Sequence, residues 1–144
     1  MQRDPNSHKG ENGKVAVIGA IARKGMVVAK VIQNTDTATL DSFVRSTVAD
    51  DVSLVATDEH SGYRLLDKDY NHQSVTHGSG QYVRGKVHTS SIDSFWSLLK
   101  RGIMGSFHHV SKEYLPLYVN EFSWRHNNRG NPDAFRNLLT TCSK

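Results

Sequence analysis

Val15-Ala16-Val17-Ile18-Gly19-Ala20-Ile21 and Met26-Val27-Val28-Ala29-Lys30-Val31-Ile32 are two short apolar runs rich in β-branched residues, separated by Ala22-Arg23-Lys24-Gly25. Two such runs about a Gly-bearing turn predict a β-hairpin with both faces partly covered. Upstream, residues 1–13 are polar, with Pro5, Gly10 and Gly13, and read as a solvated arm or linker. Downstream, Thr35, Asp36 and Thr37 offer N-cap oxygens to a helix carrying Leu40, Phe43, Val44 and Val48 at helical spacing. A third strand is expected over residues 52–57, ending on Asp58, and Ser61-Gly62-Tyr63-Arg64-Leu65-Leu66 suits a short helix. A weak strand near residues 73–77 precedes a polar, Gly-bearing loop. Two helices then finish the pattern, one with the apolar stripe Ile92, Phe95, Leu98 and Leu99, the other with Leu115, Tyr118, Val119 and Phe122. Pro116 predicts a bend or a late start in the second. This order points to an α/β fold with a mixed sheet.

Composition narrows the function classes. The 144 residues suit one domain, and 37% hydrophobic content supports a core. No apolar run approaches the ~20 residues of a membrane span, and residues 1–6 lack a signal-peptide core. A lone Cys142 excludes an internal disulfide framework and a multi-cysteine zinc site. The expectation is a basic intracellular chain. A net charge of +4 makes nucleic acid a plausible partner without selecting it.

Two carboxylates stand out. Asp58 falls where an apolar strand yields to a polar turn, and ligand-binding groups collect outside the carboxyl ends of strands in open α/β sheets. A turn-forming aspartate has the same local pattern. Asp93 lies in the first turn of its helix, where Ser90-x-x-Asp93 also resembles a capping box. Lys100, seven residues on, returns to within about 20° of Asp93 on a helical wheel, with Trp96 at the margin of that face. Such a face suits a carboxylate on a metal beside a cation on phosphate; a solvated face has the same pattern. The eight histidines, including His72, His77, His88 and the pair His108-His109, fall in no tight zinc motif. Arg84, Lys86, Lys100, Arg101, Lys112, Arg125 and Arg129 interleave with Trp96, Tyr114, Tyr118 and Trp124, as phosphate neutralisation and base stacking require. Packing is the better account of Tyr118 and Phe122, and Trp124 lies off that helix's main stripe.

With these residues in place, the sequence resembles the RNase H-like DDE transposase domain of bacterial insertion sequences, the ISXO-like group. The resemblance rests on Thr57-Asp58-Glu59 with Tyr63, Val87-His88-Thr89, the run from Ile92-Asp93-Ser94-Phe95-Trp96 to Lys100-Arg101-Gly102, and His108-His109-Val110-Ser111-Lys112. Tyr118-x-x-Glu121-Phe122-x-x-Arg125-x-Asn127-x-Arg129 completes it. The resemblance runs from about Lys14 to Arg129, giving a partial catalytic domain over 14–129 between the arm and a C-terminal tail, 130–144. It implies an RNase H-like mixed sheet flanked by helices, and a two-metal site for Mg²⁺ or Mn²⁺. Asp58 matches the second acidic position and Asp93 the third, with 34 residues between them. Lys100 matches the basic residue after the third acid. His88, Ser90, Trp96, Lys100, Arg101, Lys112, Arg125 and Arg129 are the implied DNA contacts.

The implied chemistry is cleavage of a DNA phosphodiester at the element's end and transfer of the freed 3′-hydroxyl into target DNA. Element-end and target DNA are the implied partners, with a homo-oligomer in the intact enzyme, in the bacterial cytoplasm at the nucleoid. Two departures accompany the match: Asp93 stands where Glu is common, and Ser90 where Asn is common. The family's first aspartate lies on a strand upstream of a Gly-rich linker that residues 1–13 resemble. The expectation is therefore a truncated chain lacking its first strand and first acid, and inactive alone. A non-catalytic DNA-binding or oligomerisation remnant, and another RNase H-like nuclease, are the alternative readings.

Overall fold

The computed structural model describes residues 15–23, 25–58, 60–75, 83–84, 87–88 and 90–142. The hairpin forms as the sequence predicts. β1 (Ala16–Ile21) pairs antiparallel with β2 (Val27–Ile32), in the register Ala16 opposite Ile32 and Ile21 opposite Val27. The ladder closes where Ala22 N–H donates to the Met26 carbonyl at 3.0 Å, and Gly25 N–H donates to the Ala22 carbonyl at 2.8 Å. Strand alternation then sends side chains to two faces. Ile18, Ala20 and Ile32 join one apolar cluster; Val17, Ile21, Val27, Ala29 and Val31 join another.

The first face is covered by α1 (Thr37–Thr47), which buries Leu40, Phe43 and Val44. Each fully buried side chain of this kind contributes roughly 1.5–3 kcal/mol. Asp36 is its N-cap: the carboxylate accepts the Thr39 N–H at 2.8 Å, and these hydrogen bonds hold its pKa below the usual aspartate value. Arg45 near the end of α1 reaches Asp41 at 2.7 Å and Asp69 at 2.6 Å, tying the helix to the turn beyond it. The opposite face carries α2 (Ser90–Gly102) and α3 (Leu115–Asn127), with Phe95, Leu99 and Val119 buried against Val27 and Ala29.

β3 (Val55–Asp58) pairs parallel with β4 (His72–Val75), and β5 (Val83–Arg84) pairs antiparallel with β6 (Val87–His88). The hydrogen-bonded ladders among the described residues thus form three two-stranded sheets rather than one continuous mixed sheet. β3 starts later than the expected residue 52, because Val52 N–H is used in a turn to Ala49 and the Ser53 carbonyl accepts the Asn71 side chain. The helix expected from Ser61 is two 3₁₀ turns, Ser61–Tyr63 and Leu66–Lys68. Of the bend or late start expected at Pro116, the late start is found: α3 begins at Leu115, so Pro116 sits in its first turn, where no helical N–H is missed.

Two expectations need correction. Leu98 is 41% exposed, so the buried stripe of α2 runs through Phe95 and Leu99 with half-buried Ile92, and Ile103 continues it just past the helix end. The end of the chain forms a third late helix, α4 (Ala134–Cys142), where a tail was expected. An Asn131 turn launches it, the side chain accepting Asp133 N–H at 3.0 Å and the carbonyl accepting Ala134 N–H at 3.2 Å. No helix among the described residues is long and apolar enough to cross a membrane.

Candidate functional site

Asp58 is the last residue of β3 and is exposed. Its carboxylate accepts the His60 N–H at 3.2 Å, so it keeps the turn role that its local sequence allows while staying open to solvent. The turn is held from below. Gly62 N–H donates to His60 Nδ1 at 3.1 Å, and a Cβ on Gly62 would lie 2.5 Å from Leu40 Cδ1 of α1. A larger residue there requires the Leu40 side chain to shift. Tyr63 stands beside the same turn, and burial, then the negative charge of Asp58, push its phenol pKa above the ordinary value.

A network that sequence reasoning missed secures the strand end. His72 Nδ1 lies 2.6 Å from Asp67 Oδ1, and its Nε2 lies 2.7 Å from Thr57 Oγ1. Thr57 Oγ1 in turn donates to the Asp58 carbonyl at 2.9 Å. The chain of contacts runs from Asp67 through both ring nitrogens of His72 to Thr57 and on to the backbone of Asp58. His72 is a strut of the β3–β4 pair rather than an open loop residue, its side chain only 7% exposed. Nothing in the spacing of Thr57, Asp67 and His72 announces it.

Asp93 is half-buried in the first turn of α2, and Lys100 and Arg101 are exposed in its last turn. α2 is locked to the hairpin by Trp96. The indole lies over Gly19 of β1, where a Cβ would fall 2.7 Å from Trp96 Cη2, and its ring meets Phe95 edge-on at 5.1 Å. Trp96 is therefore half-buried against the apolar cluster between α2 and β1. Gly102, at the other end of α2, faces the ring of Phe122 so closely that any Cβ would collide with it.

The remaining proposed contacts are dispersed. Lys112 is exposed before α3; Arg125 is exposed and paired with Glu121 at 2.8 Å; Arg129 is exposed and donates to the His126 carbonyl at 2.6 Å. His88 lies in β6 and Ser90 begins α2, but their side chains fall outside the described residues, as does Glu59. Trp124 is 37% exposed, off the buried side of α3, while Tyr118 packs edge-on against Phe107. Among the described residues, no three His, Cys, Asp or Glu side chains converge as a metal cluster. The donor set itself suits a hard divalent cation: Asp58 and Asp93 offer carboxylate oxygens.

Comparison with known proteins identifies the family of the chain. A family model of the ISXO2-like transposase domain matches residues 2–127, reaching back beyond Lys14. A protein of Halobacterium salinarum, described as an uncharacterized protein in transposable element ISH50, is 32% identical over 111 residues, covering 72% of this chain and 37% of that protein. The chain thus spans little more than a third of that relative's length. No solved structure matches. On the extent of the family match, the chain belongs to the ISXO2-like transposase domain family.

Proposed function

We propose that this domain is the catalytic domain of an insertion-sequence DNA transposase, cleaving DNA strands and transferring them with Mg²⁺ or Mn²⁺. The observation that carries the reading is Asp58, an exposed carboxylate at the carboxyl end of β3, held there by the His60–Tyr63 turn within a transposase-family domain. Asp58 and Asp93 would hold the cations, which supply charge stabilisation for the attacking and leaving oxygens of the phosphodiester. Lys100, exposed two turns after Asp93, neutralises a DNA phosphate, and Arg101 extends the same cationic helix end. Trp96 serves this surface indirectly, by fixing α2 on β1.

The strand edges support an RNase H-like sheet. Pairing alternates along an antiparallel ladder, so with Ala22 bonded to Met26 the even-numbered residues of β1 face β2. Val17, Gly19 and Ile21 then direct their backbone groups to the outer edge of β1. In β3, Val55 N–H donates to Asn71, so Ala56 and Asp58 direct theirs away from β4. A single cluster joins Ile18 of β1 with Leu40, Phe43, Leu66 and Tyr70, and Val55 of β3 packs against it. One further strand between the two edges would join the ladders into a mixed sheet and bring a third acid beside Asp58. A strand-transfer assay tests the reading, using a pre-cut element end, the full chain and Mg²⁺. Mg²⁺-dependent joined products that vanish in Asp58→Asn and Asp93→Asn carry it. Salt-dependent DNA binding unchanged by both substitutions, with no joined product, would reduce the domain to DNA binding.

A further inference from the structure

β2 has an outer edge of its own, on the side away from β1. The even-numbered residues Val28, Lys30 and Ile32 bond inward to β1, so Val27, Ala29 and Val31 point their N–H and C=O groups outward. At Val27 the outward pair is taken by a side chain that imitates a strand. Val27 N–H donates to Asn127 Oδ1 at 2.7 Å, and Asn127 Nδ2 donates to the Val27 carbonyl at 2.9 Å. Ala29 and Val31 have no such partner among the described residues, although Ala29 is only 9% exposed. Shielded backbone groups without partners are rare in folded proteins.

The edge also runs along a groove of about 930 Å³, lined by residues 28–32 of β2. α1 walls one side with Thr39, Ser42 and Ser46, the Ser46 hydroxyl donating to the Phe43 carbonyl at 2.9 Å; α3 walls the other with Pro116, Val119 and Asn120. Lys30 is exposed and makes no ion pair among the described residues. Five residues of strand span about 17 Å, enough for one short extended peptide to complete both open backbone pairs.

We propose that this groove binds an extended segment of another protein as an added β-strand, with a carboxylate side chain set opposite Lys30. Main-chain bonds to Ala29 and Val31 give the affinity, and the walls give the selectivity. Residues opposite Ala29 and Val31 turn toward Val119 and are small and apolar; those beside the carboxylate turn toward the α1 hydroxyls and are polar. A second copy of β2 fits less well. Two-fold pairing of Ala29 with Val31 places Lys30 directly opposite Lys30 of the other copy, a repulsive pair. Pairing Ala29 with itself displaces Asn127 from Val27, and pairing Val31 with itself carries Ala29 past the strand end at Ile32.

The probe is an acetylated, amidated Thr-Val-Glu-Val-Thr peptide bearing a fluorophore, titrated with the full chain by polarisation and amide NMR. Saturable binding is expected, with the largest shifts at Ala29, Val31 and the α1 hydroxyl residues. N-methylation of the two valines should weaken binding at least tenfold. Lys30→Glu should likewise reverse the preference between this peptide and its Glu-to-Lys analogue. Absence of binding, equal binding of the N-methylated peptide, or an unreversed preference in Lys30→Glu would overturn the proposal. Concentration-dependent self-association that protects the Ala29 and Val31 amides would overturn it in favour of a second copy.

Discussion

Gly19→Ala tests how α2 is held in place. A Cβ at position 19 would lie 2.7 Å from Trp96 Cη2, 2.8 Å from Cζ2 and 3.4 Å from Ile92 Cδ1. Ordinary carbon contacts lie at about 3.5–4.0 Å, so the indole must retreat by roughly an ångström. Its room is limited, because the ring is wedged edge-on against Phe95, itself 1% exposed. Overpacking of this kind costs about 1–3 kcal/mol, and that range is expected for Gly19→Ala. Urea unfolding followed by circular dichroism reads the loss as a lower midpoint with the slope unchanged. Trp96→Leu in the same background removes the obstacle, so the double variant should recover at least about 1 kcal/mol of the summed single losses. A Gly19→Ala protein as stable as the parent, or strictly additive losses, would show that the indole does not bear on β1. Trp96→Leu should also leave the salt slope of DNA binding unchanged, because the ring is a strut of the fold.

Other substitutions probe separate parts of the structure. Asn127→Ala removes two hydrogen bonds and strands the backbone of Val27, which is 1% exposed; a loss of about 1–3 kcal/mol in urea is expected, and less than 0.5 would contradict the clamp. His126 is held below its usual pKa by burial and then by the charge of Arg129, and its Nε2 is buried with no hydrogen-bond partner among the described residues. The unfolded chain therefore binds this proton more readily, and stability contributed by the neutral ring is full above about pH 6.5 and lost as pH falls through the lower folded value. His126→Phe should flatten the stability profile below pH 6.5; an unchanged slope would refute the assignment. His108 has φ 56° at the centre of a tight turn closed by His109 N–H to the Phe107 carbonyl. Such strain costs about 1–3 kcal/mol, and glycine returns part of the gain to the unfolded chain, so His108→Gly should raise stability by about 1 kcal/mol in thermal melts. A lower melting temperature would contradict it.

The hairpin was legible because two β-branched runs and a Gly-bearing turn agree on one structure, and α1 because Asp36 and the Leu40, Phe43 and Val44 spacing agree on another. The helical wheel gave the azimuth of Trp96 but not the depth of the surface beneath it. That depth is set by Gly19, far away in sequence, whose missing side chain admits the indole. Leu98 fails for a related reason: it borders the stripe that Phe95 and Leu99 define, and the neighbouring elements stop short of it. α4 carries Phe135, Leu138 and Leu139 at helical spacing, beyond Arg129, where the family resemblance read from the sequence ends. At the site, Asp58 was legible as a strand end. Its support was not: the Thr57, His72 and Asp67 chain and the Gly62 contact with Leu40 depend on tertiary approach.

The central claim is that Asp58 and Asp93 serve one divalent-cation site. Titration of the ¹⁵N-labelled chain with Mn²⁺ tests it directly, since the paramagnetic ion broadens nearby amides whether or not the chain cuts DNA. The account predicts concerted broadening at residues 57–62 and 91–95, saturating together, reversed by excess Mg²⁺ and abolished at both segments by Asp58→Asn or Asp93→Asn. Broadening at one segment alone, or broadening that survives either substitution, would contradict it.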